Sequence, residues 1–470
     1  MRISLPRRRR GATGGAALSL LVAAVLACGA PGPSLTPTTP PPVPADSSQS
    51  LSPGSATPEP PASASPPGDS PGPGETPAPA DTPAPADTPA PADTPAAGDG
   101  PWLYLADFPG GRALEVSSVT AHGDGFVAVG WEPFPDEGFG GRRNGVVWTS
   151  ADGLAWSRST PASLASVTLL EVASLNGELF AFGRYSLCPE FNEDDCQDAA
   201  DAGVALWRSS DGADWQRLPL PSSLQTGILD GLAVGESVMA AYGGTGDDLQ
   251  SVLWLSPDGS QWSELHETAA VDPISAMAVS PERLAAFGTR YVPEEDDVET
   301  LAGYSDGGGF AQAQLPPGQR GLVQDVLWSA GRFVAVGFEY DDTGLAQGSI
   351  ALVSDDGASW TAAPSDSLPD DAAFGALAGL PAGYLVVGSR PDAAAAEGES
   401  PHSWFSADGL AWTDFGALTG GGYRRLSSVG LSPVGAVVFV SDFEESDELE
   451  PLDSEAGGVH AWLLPSAAFP

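Results

Sequence analysis

The chain has 470 residues, with 62 acidic residues against 19 basic ones, every one of the latter arginine, and a formal charge of −43. That charge argues against nucleic acid, whose phosphates need basic surface, and against peripheral docking on anionic lipid. Hydrophobic content of 42% supports a real core, while 46 prolines cannot all sit inside regular structure.

Residues 2–10 carry five arginines, and Ala16 to Ala27 form a mainly apolar run of twelve. This is the charge-then-apolar pattern of a secretory signal, too short for a permanent bilayer span. It ends Val25-Leu26-Ala27-Cys28-Gly29. The ending resembles the lipobox of bacterial lipoproteins, which implies cleavage after residue 27 and lipid on Cys28. Several acyl chains there would anchor the protein stably to the outer face of the cell membrane. An ordinary signal peptide with an unrelated Cys is the other reading. Residues 28–100 are rich in Pro, Ala, Ser, Thr and Asp, with Thr-Pro-Ala-Pro-Ala-Asp repeating through 76–93 and no aromatic residue. Nothing in that stretch repays the entropy of folding, so it reads as a disordered linker. At ~3.1 Å per residue in polyproline II, it could reach on the order of 200 Å.

Residues 101–470 repeat with a period near fifty, the sign of a repeat architecture. Ser150-Ala151-Asp152-Gly153-Leu154-Ala155-Trp156 recurs as Ser209, Asp211, Gly212 and Trp215, then as Ser256, Asp258, Gly259 and Trp262. It returns as Ser354, Asp356, Gly357 and Trp360, and as Ser406, Asp408, Gly409 and Trp412, with a worn copy at Ser305, Asp306, Gly307 and Phe310. A β-rich segment ending in Gly precedes each copy, as in Phe126-Val127-Ala128-Val129-Gly130 and Phe333-Val334-Ala335-Val336-Gly337. Each unit therefore reads as strand a, tight turn, strand b, variable loop, strand c, Asp-Gly turn, strand d. The seventh unit stops after Val459-His460-Ala461-Trp462-Leu463-Leu464 and lacks strand d, whereas Trp102-Leu103-Tyr104-Leu105 follows an Asp-Gly pair with no unit of its own. The reading is all-β: a seven-bladed propeller of four-stranded blades, closed by residues 101–106 joining the last blade, which removes an exposed edge. Eleven of the thirteen tryptophans fall at two repeated positions and read as packing between blades.

The Ser-x-Asp-Gly turns resemble the Asp-box, or bacterial neuraminidase repeat, of sialidase-like β-propellers. The spacing here is one residue shorter between Ser and Gly and between Ser and Trp than in the family. The resemblance implies a structural hairpin away from any active site: Asp accepts turn amides, Gly supplies positive φ, and Trp plugs the sheet. Sialidase catalysis in that family relies on three arginines, a Tyr–Glu nucleophile pair and an Asp acid. The Arg-Ile-Pro sequence that usually carries the first arginine is absent, although Arg184, Arg290, Arg390 and Arg425 fall near the loop end of strands, with Tyr185, Tyr291 and Tyr340 close by. The four histidines show no metal-ligand spacing. Cys188 and Cys196 flank a loop of the second unit; in an exported protein they read as a disulfide worth roughly 2–3 kcal/mol.

The loops between strands b and c are the acidic part of the domain, with 30 acids and five arginines in ninety residues. Asp194 and Asp195 crowd the second loop and Asp296 and Asp297 the fourth. Propeller topology gathers these loops at one end, giving a negative rim able to steer cations. No cofactor is required by any motif, and weak multi-loop calcium binding through those four aspartates is the one metal candidate; a purely solvated acidic surface is the alternative. Glu171 and Asp325 fall at the strand a position facing the axis, where they would stay solvated or hold a cation or water. The functional expectation is an exported, lipid-anchored, monomeric propeller serving as a non-catalytic binding or scaffold module for an unknown protein or glycan, with a sialidase-like glycoside hydrolase as the alternative.

Overall fold

The computed structural model describes residues 100–111, 115–133, 142–186, 202–225, 227–245, 250–265, 271, 273–292, 297–307, 309–340, 346–392, 399–420, 425–441 and 458–470. Cys28, Cys188, Cys196 and the linker lie outside the described residues, so the signal, anchor and disulfide expectations do too.

Seven antiparallel four-stranded sheets follow one another in the chain. Blade 1 shows the plan: strand a is Glu115–His122, b is Gly125–Pro133, c is Arg143–Ser150 and d is Ser157–Ser159. Strands a of blades 2 to 7 are Val167–Leu175, Ile228–Val234, Ile274–Val279, Leu322–Ser329, Ala373–Leu380 and Arg425–Ser432. The last blade takes its fourth strand from the start of the domain. Leu103–Tyr104 pairs antiparallel with Val459–Pro465, Leu103 opposite Leu463, and the Leu105 N–H donates to the Ala461 carbonyl. The closing segment is thus a two-residue strand with one flanking bond, shorter than residues 101–106, because the chain turns away after Leu105.

Neighbouring blades bury their faces against each other, and each of the seven seams has its own apolar cluster. Blades diverge outward from the axis, so the gap between them widens and side chains must grow to fill it. Strand b supplies small residues such as Ala128, Ala181 and Ala241, directly opposite the fully buried Trp148, Trp207 and Trp254 of strand c. Beyond them, the aromatic after the Asp-Gly turn enters the seam with the preceding blade. Trp215, Trp262, Trp360, Trp412 and Trp156 do so in five seams and Phe310 in a sixth. Trp102 fills the seam between blades 6 and 7, its indole donating to Ser403 Oγ at 2.9 Å. Truncating one such tryptophan to Ala removes about 3–5 kcal/mol. In blade 4 the strand c tryptophan is replaced by Gly303, whose absent Cβ leaves the room that the Phe310 ring occupies. The worn repeat is therefore a compensated one.

Five turns between strands c and d are built alike. In the first, Ser150 Oγ accepts the Gly153 N–H at 2.8 Å, Asp152 Oδ1 accepts those of Leu154 and Ala155 at 2.9 Å, and the Trp156 indole donates to the Gly153 carbonyl. The turns at Ser209, Ser256, Ser354 and Ser406 repeat the set. Their glycines have φ between +67° and +79°, where a Cβ is disfavoured.

Every strand a carries a bulge at one height, with an extra residue at Ser117, Leu170, Asp230, Ser275, Gln324, Gly375 or Ser427. The bulge explains the glycine that ends strand b. A Cβ on Gly130, Gly243, Gly337 or Gly388 would overlap the carbonyl oxygen that strand a turns toward it.

Ring closure gives the first prediction. Deleting residues 101–106 leaves strand c of blade 7 unpaired and the last seam without Trp102, so the melting temperature falls and aggregation rises. Deleting residues 30–95 does neither. Thermal unfolding followed by light scattering on both variants measures the difference, and equal effects would contradict the closed ring.

Candidate functional site

The axis of the ring is where the seven blades stop being equivalent. The residue after each bulge is Ser118, Glu171, Gly231, Ala276, Asp325, Ala376 or Ser428. Inner strands of adjacent blades pack side by side around the axis. Glu171 and Asp325 keep some accessible surface yet are enclosed by protein, as befits groups lining a narrow axial space. Neither simply stays solvated. Asp325 Oδ2 accepts the Leu377 N–H of blade 6 at 2.8 Å, and Glu171 accepts that of Leu232 in blade 3. Ser428 does the same for Val119 of blade 1 at 3.0 Å.

Desolvation pushes the Glu171 carboxyl up to about 8 against the pull of the Leu232 amide, with repulsion from Asp325 adding to the rise. Desolvation likewise lifts Asp325 to about 7, although the amides of Leu377 and Val326 oppose it. Two further groups belong to this set that sequence reading missed. Tyr242 of strand b lies opposite Gly231, and its ring fills the place where a side chain on Gly231 would be. Its hydroxyl donates to the Ser275 carbonyl at 3.4 Å. Desolvation, then Glu171, Asp325 and Asp230, raise its pKa well above the usual tyrosine value, so it stays a neutral phenol. Asp230, the bulge residue of blade 3, is raised by desolvation, partly offset by Arg184. The Gly231–Tyr242 register was the available signal, since glycine replaces a side chain where six blades have one or a small alanine.

The upper-face arginines are engaged separately. Arg184 Nη2 donates to the Leu229 carbonyl of blade 3 at 3.4 Å. Arg290 pairs with Glu299 of its own blade, and Arg390 spans Asp371 at 3.1 Å and Asp414 at 3.3 Å. Arg158 pairs with Glu132. Tyr185 is buried beneath the Arg217 guanidinium, 4.1 Å from the ring centroid, and Tyr340 lies against Phe338. The Arg425 backbone begins a strand, but its side chain, like those of Asp194, Asp195, Asp296, Asp297 and Tyr291, lies outside the described residues. Among the described residues no group of three or more His, Cys, Asp or Glu is placed to hold a metal. A cleft of about 530 Å³ at the opposite, lower end is lined by His122, Asp124, Ser150 and Asp211, whose Ser150 and Asp211 already serve the turns.

No protein-family model matches the chain, and no curated protein does. Solved structures similar to it include YCF48 bound to a D1 peptide, at 14% identity and TM-score 0.47, covering 80% of this chain and 99% of that one. Trypanosoma rangeli sialidase in complex with sialic acid is similar at 12% identity and TM-score 0.39 over 75% of this chain; the chain spans about half of the sialidase, 54%. A polysaccharide lyase of family PL25, an ulvan lyase, is similar at 10% identity and TM-score 0.49, over 77% of this chain and 95% of that one. At such identities the likeness is one of fold.

The turn aspartates give an acid limb. Their amide partners hold the carboxyls below the usual value, foremost Ala155 for Asp152, Asp214 for Asp211, Ser260 for Asp258 and Ala411 for Asp408. At Asp356 burial pulls the other way but the amides of Ser359 and Ala358 outweigh it. A depressed folded pKa contributes stability that is fully present above the unfolded value, 3.8, and is lost as pH falls through the folded one. Thermal melts below pH 3.8 therefore show a steep loss, and replacing Asp152 and Asp408 with Asn makes that loss shallower. An unchanged slope in the double variant would contradict this source.

Proposed function

We propose that the protein is a lipid-anchored, extracellular display module whose propeller binds a basic partner or cations through its acidic upper face and performs no catalysis. The observation that carries this reading is the engagement of the upper-face cations. Arg158, Arg290 and Arg390 each hold a carboxylate of the protein itself, and Arg184 a backbone carbonyl. Arginines occupied in this way, on three separate blades, do not converge on a substrate carboxylate. The enclosed Tyr242 hydroxyl, held neutral beside carboxyls, is a poor nucleophile. What the sequence offers at that end is negative charge, 30 acids over the connecting loops. Such a field attracts and orients cationic surfaces, and its strength falls with salt.

Display fits the rest of the chain. The signal-like N-terminus and Cys28 supply export and anchoring, and the Pro-rich residues 28–100 supply a spacer. No helix among the described residues is long and apolar enough to cross a membrane.

Two measurements on the same preparation test the reading. Millimolar calcium, or a polyarginine peptide, should raise the melting temperature beyond sodium chloride of equal ionic strength, by the linkage of ligand to the folded state, about 1.4 kcal/mol at ten times Kd. Neutralising Asp194, Asp195, Asp296 and Asp297 to Asn should remove the excess. A panel of fluorogenic sialosides and other glycosides should show no turnover. Equal shifts with both salts and the peptide would mark the face as merely solvated, and turnover lost on changing Arg184 or Arg290 would replace the reading with a glycoside hydrolase.

A further inference from the structure

Val119, Leu232 and Leu377 hold the same place in strand a of blades 1, 3 and 6, directly after the axis-facing residue. Each of their N–H groups is received by a side chain of the preceding blade. The seam between blades 7 and 1 uses the hydroxyl of Ser428, 3.0 Å from the Val119 nitrogen. The seams between blades 2 and 3 and between blades 5 and 6 use the carboxyls of Glu171 and Asp325. A seam clasp built on a hydroxyl has one protonation state near neutrality. One built on a carboxyl has two.

The surroundings of these carboxyls are acidic or neutral. Asp325 acts on Glu171 across the axis, and both face Tyr242, which Asp230 also reaches. Toward Asp325 the neighbouring groups are the Leu377 and Val326 amides. Arg184 acts on Asp230. Ionising Glu171 and Asp325 together therefore places two like charges in one enclosed space that water reaches poorly.

We propose that Glu171 and Asp325 form a proton-dependent latch: protonated, they hold the seams between blades 2 and 3 and between blades 5 and 6 closed, and ionised, they let those two seams open more often. The sign follows from linkage. Opening a seam hydrates its carboxyl and returns it toward an ordinary value of 4.5 for Glu171 or 3.8 for Asp325, whereas the closed seam holds it near 8 or 7. The closed form thus binds the proton more tightly, and opening becomes easier as pH rises between those limits. The seam at Ser428 has no such dependence.

Amide hydrogen exchange on the full chain reads this directly, with each rate corrected for the intrinsic effect of pH. Between pH 5 and pH 8 the protection of Leu232 and Leu377 should fall on the order of tenfold or more relative to Val119, which serves as the reference within the same molecule. Glu171→Gln and Asp325→Asn keep an acceptor of similar size without the titration, and each should flatten the profile of its own amide, Leu232 or Leu377. A common pH profile at all three amides, rising protection at Leu232 and Leu377, or an unchanged profile in the variants would overturn the latch. The comparison of the three amides in the unaltered protein stands even if a variant fails to fold.

Discussion

The structure depends on packing between blades rather than within them. A single four-stranded sheet of this kind has two apolar faces and cannot bury either alone. Strand b of blade 5 shows this: Phe333, Val334, Ala335 and Val336 are all buried, alternate residues entering seams on opposite sides. Because the blades splay outward, one seam needs alanine near strand b, tryptophan on strand c and a second aromatic beyond it. The Ser-x-Asp-Gly turn exists to aim that last aromatic. Its hydrogen bonds fix the glycine, and the glycine carbonyl receives the indole N–H. Strand pairing at the closing blade completes the same logic, since a ring with one open seam would expose two apolar faces at once.

This division of labour bears on function. Side chains repeated in every blade are consumed by the ring, so chemistry has to come from positions that break the repeat. Two sets do so. Around the axis, Glu171 and Asp325 replace the small residues of other blades, and Tyr242 fills the space left by Gly231. On the upper face, acidic residues accumulate in loops of unequal length. The first set is enclosed and bonded to backbone amides, which makes it a controller of the ring's rigidity. The second is the face presented to partners.

Much of this was legible beforehand. Tryptophan at two fixed positions per repeat, an Asp-Gly pair ahead of one of them, and an orphan Trp102-Leu103-Tyr104-Leu105 are enough to count blades and close the ring. The bulge in strand a was not legible as such, because bulges have no side-chain signature. Its only trace is the glycine opposite, read at first as a strand terminus rather than as room for a carbonyl. The axial carboxyls were placed correctly in the ring, but their clasping of the next blade depends on strand a being bulged and so could not be reached by counting. Arg290 and Arg390 looked free in the sequence because their partners, Glu299 and Asp371 with Asp414, come from pairing across strands and from the linker between blades 5 and 6.

The central claim is that seven seams and one shared blade make a single cooperative unit, unlike an open solenoid whose repeats separate one by one. Differential scanning calorimetry of the full chain at pH 5 tests it most directly. A closed ring gives one transition whose calorimetric and van't Hoff enthalpies agree, because losing any seam exposes the faces of both neighbours. Several resolved transitions, or a van't Hoff enthalpy well below the calorimetric one, would mean that blades unfold independently and that the ring is not what holds the protein together.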